Sequence, residues 1–265
     1  MIKVGCCGWA IKGGMAAYFK HFNVIEIQST FYRLPLLSTA ESWRAAAPTG
    51  FEFAMKAWQA ITHPVSSPTW KKAAVSKTRF DNPANVGSFR PTEENFRAWN
   101  DTKEVYKHLG ASFCILQSPP SFRCTPENTS NICLFLEAVD REGMVIGWEP
   151  RGDWPKHSAA VRKICERFNL VHVVDPFRDE TLTRQGPAYF RLHGIGRGEV
   201  NYSYRYSDSD LRRLLIKASG IHSEDRAVYV LFNNISMAAD AARFKETVRH
   251  QFGEDQSHSE VRAKS

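Results

Sequence analysis

Eight short apolar runs recur along the chain, at residues 2–7, 24–28, 51–56, 113–117, 145–149, 171–174, 188–192 and 227–232. Each has the length of a buried strand. Between most of them apolar residues return at helical spacing, framed by start and stop chemistry. Ser38-Thr39-Ala40-Glu41 reads as a capping box ahead of a short helix ending near Pro48. Thr125-Pro126 offers an N-cap and an N1 proline to a helix predicted to run to Glu142 and stop at Gly143. A helix after Ser207 stops at Gly220, and Ser236 caps a last helix that Gly253 stops.

Strand then helix, repeated about eight times, predicts an α/β fold of the TIM-type (β/α)8 barrel kind. The barrel is expected as one domain over residues 1–253, followed by a polar, disordered tail at 254–265. The segment "PFRDETLTRQGP", residues 176–187, is short and punctuated by proline, so one helix there is expected to be irregular or missing. A doubly wound open sheet is the runner-up. It would carry a glycine-rich phosphate turn after the first strand, which "GCCGWAIKGG" does not match.

Two segments break the alternation. Residues 57–91 form an inserted basic loop, and residues 194–206, "GIGRGEVNYSYRY", follow the seventh strand. In a barrel both extend from the C-terminal rim, where chemistry is found. Polar residues also gather at that end of the strands. If Ile25 and Ile27 face helices, Glu26 and Gln28 face inward. Lys56, Gln117, Glu149 and Asp175 end the third to sixth strands, Arg191 and His193 share a face of the seventh, and Asn233 follows the eighth. Buried charges must pair or serve a ligand. A purely structural alternative is a salt-bridge network in which Arg191 and Lys56 neutralise Glu26 or Glu149.

The 265 residues are 43% hydrophobic and 12% aromatic, enough for one large globular core, and carry a net charge of +7. That balance fits either a solvated basic surface or an anionic partner. The six cysteines form no C-x-x-C pair and read as reduced core thiols. An N-terminus that enters a strand at once predicts no secretory leader, and no apolar run is long enough to span a membrane. The expected location is cytoplasmic.

The ordered motifs "GCCGW", "EIQSTFYRLP", "FEFAMKAWQAITH", "LQSPPSF", "GWEPRGDW", "YFRLHG" and "VYVLFNN" with "AADAARF" resemble the YecE-like domain-of-unknown-function family, over about residues 2–252. The resemblance implies a TIM-type barrel and no settled reaction. The family more often has Ser or Thr at Cys6-Cys7 and Asn at Gln28. By resemblance the candidate site is Glu26, Gln28, Thr30, Tyr32, Lys56, His63, Gln117, Glu149, Arg151, Trp154, Arg191, His193 and Asn233. His63 is read as a loop histidine holding the rim.

Three chemistries fit these residues. The preferred one is a hydrolase-type enzyme acting on an anionic or phosphate-bearing substrate. Glu26 or Glu149 is its base, His193 its acid or base, and Lys56, Arg151 and Arg191 bind anionic oxygens. Gln28, Thr30, Tyr32, Gln117, Trp154 and Asn233 complete the substrate site. A divalent metal is left open, with Glu26, Glu149, Asp175 and His193 as donors; no ligand spacing demands it. The alternative is a nucleic-acid-binding protein or nuclease. Residues 56–90 hold six Lys/Arg and one Asp, interleaved with Trp58, Trp70, Phe80 and Phe89. Lys71, Lys72, Lys77 and Arg79 would contact phosphates while the rings stack on bases. Glycoside hydrolysis by paired carboxylates ranks third.

Overall fold

The computed structural model describes residues 1–73, 80–196 and 198–262. Eight parallel strands close in sequence order: β1 Ile2–Cys6, β2 Val24–Ile27, β3 Glu52–Lys56, β4 Ala111–Gln117, β5 Ile146–Glu149, β6 Val171–Val174, β7 Ala188–Leu192 and β8 Val228–Phe232. The ring is sealed by β8 pairing with β1, from Ile2 opposite Val228 to Cys6 opposite Phe232. Each of the eight apolar runs is therefore a strand, displaced by no more than two residues.

Alternation along the strands sorts the core into shells. Cys7, Val24, Ala54, Phe113, Ile115, Val173, Tyr189 and Leu231 pack together inside the ring. Ile25, Ile27, Phe53, Met55, Phe190 and Leu192 face outward onto the helices. Glu26 lies between Ile25 and Ile27, so its carboxylate points into the barrel.

The helices are α1 Gly14–Tyr18, α2 Ser29–Tyr32, α3 Leu37–Ala46, α4 Gln59–Thr62, α5 Glu93–Leu109, α6 Pro126–Ala138, α7 Ser158–Phe168, α8 Asp208–Ser219 and α9 Met237–Arg262. Among the described residues no helix is long and apolar enough to cross a membrane. Among those residues, too, no helix joins β6 to β7, as the proline-punctuated segment leads one to expect.

Three expectations about helix ends are corrected. The helix assigned to the capping box starts at Leu37, with Leu36 as a cap that makes no side-chain bond, and Ser38 lies inside it. Thr125 does cap α6, accepting from Asn128 N, but that helix ends at Ala138. The chain turns extended at Val139, and the next carbonyl, that of Asp140, accepts the Trp99 indole N–H at 2.9 Å. Finally α9 runs through Gly253. One glycine costs a helix only about 1 kcal/mol, too little by itself to end it.

Over its described residues the insertion after β3 is not an open loop. It holds α4 and short 3-10 turns at Pro68–Lys72 and Pro83–Asn85. Asn95 on α5 clamps it, accepting from Gly87 N at 2.9 Å and donating to the carbonyls of Gly87 and Arg90.

Strand β1 approaches β2 so closely that a Cβ on Gly5 would lie 2.1 Å from the Val24 carbonyl oxygen. Backbone cannot yield as a side-chain tip does. Gly5→Ala is therefore expected to destabilise by about 2–3 kcal/mol, which thermal unfolding would register as a Tm drop of roughly 5–10 °C. An unchanged Tm would show that the strands do not meet this tightly.

Candidate functional site

Arg191 stands at the centre of the rim, 1% exposed. From β7 its guanidinium reaches two other strands. Nε and Nη2 donate to Glu26 Oε2 and Oε1 on β2 at 3.0 and 2.9 Å, a bidentate pair. Nη1 donates to Glu149 Oε2 at the end of β5. Glu26 also accepts from Gln28 Nε2 at 2.9 Å and Tyr189 OH at 3.0 Å. Glu149 Oε1 receives Arg151 Nη2 at 2.7 Å, and the same Nη2 lies 2.9 Å from His193 Nε2. The backbone N–H of His193 is held by Asp175 Oδ2 at 2.9 Å. Sequence-distant Glu, Arg and His groups thus meet in one cluster.

This arrangement divides the candidate residues. Glu26 is fully buried and its two oxygens share four donors, which leaves no lone pair for proton abstraction. Arg191 is likewise buried and engaged by carboxylates. Their expected roles as base and anion binder are corrected to that of a framework. Two further expectations change. The Thr30 hydroxyl donates to backbone carbonyls, those of Ile27 at 2.8 Å and Lys56 at 2.7 Å. Trp154 is buried, stacked on Phe122, with its indole N–H on the Phe122 carbonyl at 2.6 Å. Neither presents a face to a ligand.

Lys56 Nζ donates to Gln117 Oε1 and lies 3.7 Å from the Phe31 ring centroid. Burial lowers its pKa to about 7, and the Arg191 charge works in the same direction. Half-buried Tyr32 sets its ring edge-to-face with Phe31 at 5.0 Å. His63 meets the same ring at 4.8 Å and contacts the Thr62 hydroxyl through Nδ1 at 2.7 Å. Burial lowers its pKa to about 3. Asn233 follows β8, its backbone N–H on the Leu192 carbonyl at 2.9 Å.

Where the β6–β7 helix is missing, a cavity of about 220 Å³ opens, lined by Glu149, Arg151, Asp175, Arg178, His193 and Glu199 among others. Arg178 and Glu199 were not picked out from the sequence. They sit in the segments 176–187 and 194–206, where no periodicity assigns a direction to a side chain. Burial pushes the His193 pKa well below the ordinary imidazole value, with Arg191 and Arg151 adding to the effect against Glu149, so the ring is neutral near pH 7. Burial alone would raise the Glu149 carboxyl. The Arg151 and Arg191 charges overcome it and hold the group well below the usual range. Burial raises Asp175. Two guanidinium N–H groups on the cavity's arginines, Arg151 Nε and Arg178 Nε, are buried with no hydrogen-bond partner among the described residues. The carboxylate oxygen facing Arg178 Nε, Asp175 Oδ2, stands 3.8 Å away, beyond hydrogen-bond reach.

The metal option fits poorly. Among the described residues no three His, Cys, Asp or Glu side chains converge to hold an ion. Glu26 and Glu149 face guanidinium groups, whose charge would oppose a divalent cation in the same place. The base-stacking surface also changes. Trp58, Trp70 and Phe89 are buried, and Phe80 stacks on Trp58 at 5.6 Å. Lys71 is exposed; Lys77, Arg79 and the side chain of Lys72 lie outside the described residues. Paired-carboxylate glycoside chemistry loses Glu26 to the same framework.

Fold and rim together define a parallel (β/α)8 barrel with an arginine–carboxylate cluster at its carboxyl end. The chain belongs to the family described as "Protein of unknown function DUF72", which it matches over residues 4–264. This is the YecE-like family under another description. The UPF0759 protein YunF of Bacillus subtilis (strain 168) is 25% identical over 281 residues, covering 91% of each chain. The crystal structure of the DUF72 family protein EF0366 from Enterococcus faecalis V583 superposes with a TM-score of 0.72 at 19% identity, covering 94% of this chain and 98% of that one. A D-tagatose 3-epimerase-like protein shares the barrel more distantly, with a TM-score of 0.54 at 14% identity and coverage of 97% and 99%.

Two outcomes test the cluster. Arg191→Met strands two buried carboxylates and should cost roughly 3–5 kcal/mol in chemical denaturation. Adding Glu26→Gln should give less than the summed loss, because the two sites are coupled. Wild-type stability in Arg191→Met would remove the cluster from its supporting role. Acid is the second lever. His63 and His172 are neutral when folded, with pKa values lowered to about 3 and about 4 by burial, whereas an unfolded histidine takes a proton near 6.5. Their contribution is intact above about pH 6.5 and is lost as pH falls toward 4, by up to about 1.4 kcal/mol per unit for each. Tm should fall across that window, less steeply in His63→Leu. Equal slopes would contradict the assignment.

Proposed function

We propose that this barrel is a hydrolase-type enzyme acting on a small anionic or phosphate-bearing substrate, bound in the cavity between the ends of β5, β6 and β7. One observation carries the reading: two guanidinium N–H groups with no hydrogen bond among the described residues, Arg151 Nε and Arg178 Nε, belong to residues that line the same cavity as a neutral imidazole. Unpaired buried donors are costly, and an anionic oxygen would satisfy them.

His193 is the general base in this reading. Its Nε2 faces Arg151 Nη2 at 2.9 Å, so the ring takes a proton from the attacking water once that N–H is drawn to a substrate oxygen, and the imidazolium that forms lies 3.6 Å from Glu149 Oε1 and 3.8 Å from Asp175 Oδ2. Those carboxylates offset the new charge. Glu149 also positions Arg151 through the bond between them, while Arg151 and Arg178 hold substrate oxygens and oppose charge developing on them. Lys56, beside Gln117, supplies a second group able to exchange a proton near neutral pH. Tyr32 and Asn233 are not among the residues that line this cavity. Six free cysteines support a reducing, cytoplasmic setting.

The test is His193→Gln, assayed on a panel of phosphomonoesters, phosphodiesters and carboxylic esters. Turnover should fall about 10²–10⁴-fold, the usual worth of a general base, while Tm stays near wild type. Full turnover in the variant would exclude His193, and a wild-type protein inert on the whole panel would end the hydrolase reading.

A further inference from the structure

The glycine-rich turn after β7 sends one carboxylate back into the cavity. Glu199 Oε1 accepts the backbone N–H of Gly152 at 2.7 Å, and its Oε2 lies 3.9 Å from Arg151 Nη1. The donor side of this contact is rigid. Gly152 has φ +74°, and a Cβ there would lie 2.4 Å from the Pro120 carbonyl oxygen, so the peptide is held where only glycine fits. The acceptor side is less enclosed: the Glu199 side chain is 42% exposed. Arg151 is fixed from behind by Glu149 at 2.7 Å, with its Nε lacking a hydrogen bond among the described residues. A rigid pair of donors therefore meets a partly exposed carboxylate.

We propose that the Gly152 N–H and the Arg151 guanidinium form an anion subsite for the substrate's terminal oxyanion, and that the Glu199 carboxylate is an internal stand-in which this group displaces. The inference rests on the functional reading above and sharpens it: the ligand must offer an oxyanion that can reach a backbone N–H and a guanidinium together. A partly exposed ionic contact is weak enough to exchange. No covalent step is involved; one oxyanion replaces another on the same donors.

Calorimetric titration of the full chain at low ionic strength tests it, with inorganic phosphate and succinate as probes that separate phosphate from carboxylate preference. Removing the competitor in Glu199→Ala should tighten binding of the preferred anion about threefold to tenfold, the range expected for losing a weak charged contact. Arg151→Met should abolish binding in either background. The Gly152 amide resonance should shift on anion addition in wild type and at lower concentration in Glu199→Ala. Unchanged or weaker binding in Glu199→Ala, with Arg151 still required, would overturn the stand-in role while leaving the anion site in place. Absence of binding to every form would bring down the anionic reading itself.

Discussion

Everything at the rim depends on Arg191 being buried between two carboxylates. A guanidinium carries its donors in a fixed plane, so it can fork onto Glu26 and still reach Glu149. Take that group away and two carboxylates lie in a barrel interior with no compensating charge. The bond geometry ties β2, β5 and β7 together across the ring, at the level where the apolar layers of Ile115, Val173 and Leu231 end. Below it the barrel is filled by side chains; above it the polar rim begins.

The cluster also sets the chemistry of its neighbours. Glu149 spends one oxygen on Arg191 and the other on Arg151, which places the second guanidinium against His193. Positive charge close to an already buried imidazole keeps it neutral. Lys56 is buried close to the Arg191 charge, and burial first and that charge second drive its amine toward neutrality. The internal salt-bridge network and the candidate active site are thus one structure in two layers. Glu26 and Arg191 form the inner, saturated layer, and Arg151, His193 and Asp175 form the outer one. The missing β6–β7 helix exposes that outer layer to a cavity.

Much of this was legible in the residues. Strand positions followed from apolar runs of the right length, and inward polar residues followed from alternation, because a side-chain period of two is a local property. Glu149, Arg191 and His193 were found that way. The errors had a common cause. Thr30 and Trp154 carry donors that look functional, yet both are satisfied by carbonyls far along the chain or around a turn. The capping box of Ser38 and Glu41 competes with a helix that already begins at Leu37. The aromatics of the insertion read as a stacking surface, but the insertion folds onto α5 and buries three of them.

By itself, then, the order of residues determined the eight-strand ring, the faces of its strands and the shortfall after β6, since each rests on periodicity or on proline and glycine within a few residues. Only the tertiary structure decided how donors are shared out between Glu26 and Glu149, and which guanidinium N–H groups find no hydrogen bond among the described residues. It alone brought Glu199 onto Gly152. The reason is physical: hydrogen-bonding capacity is shared out among groups that meet through the closed barrel and its loops, and a residue's local sequence does not say who its partners will be.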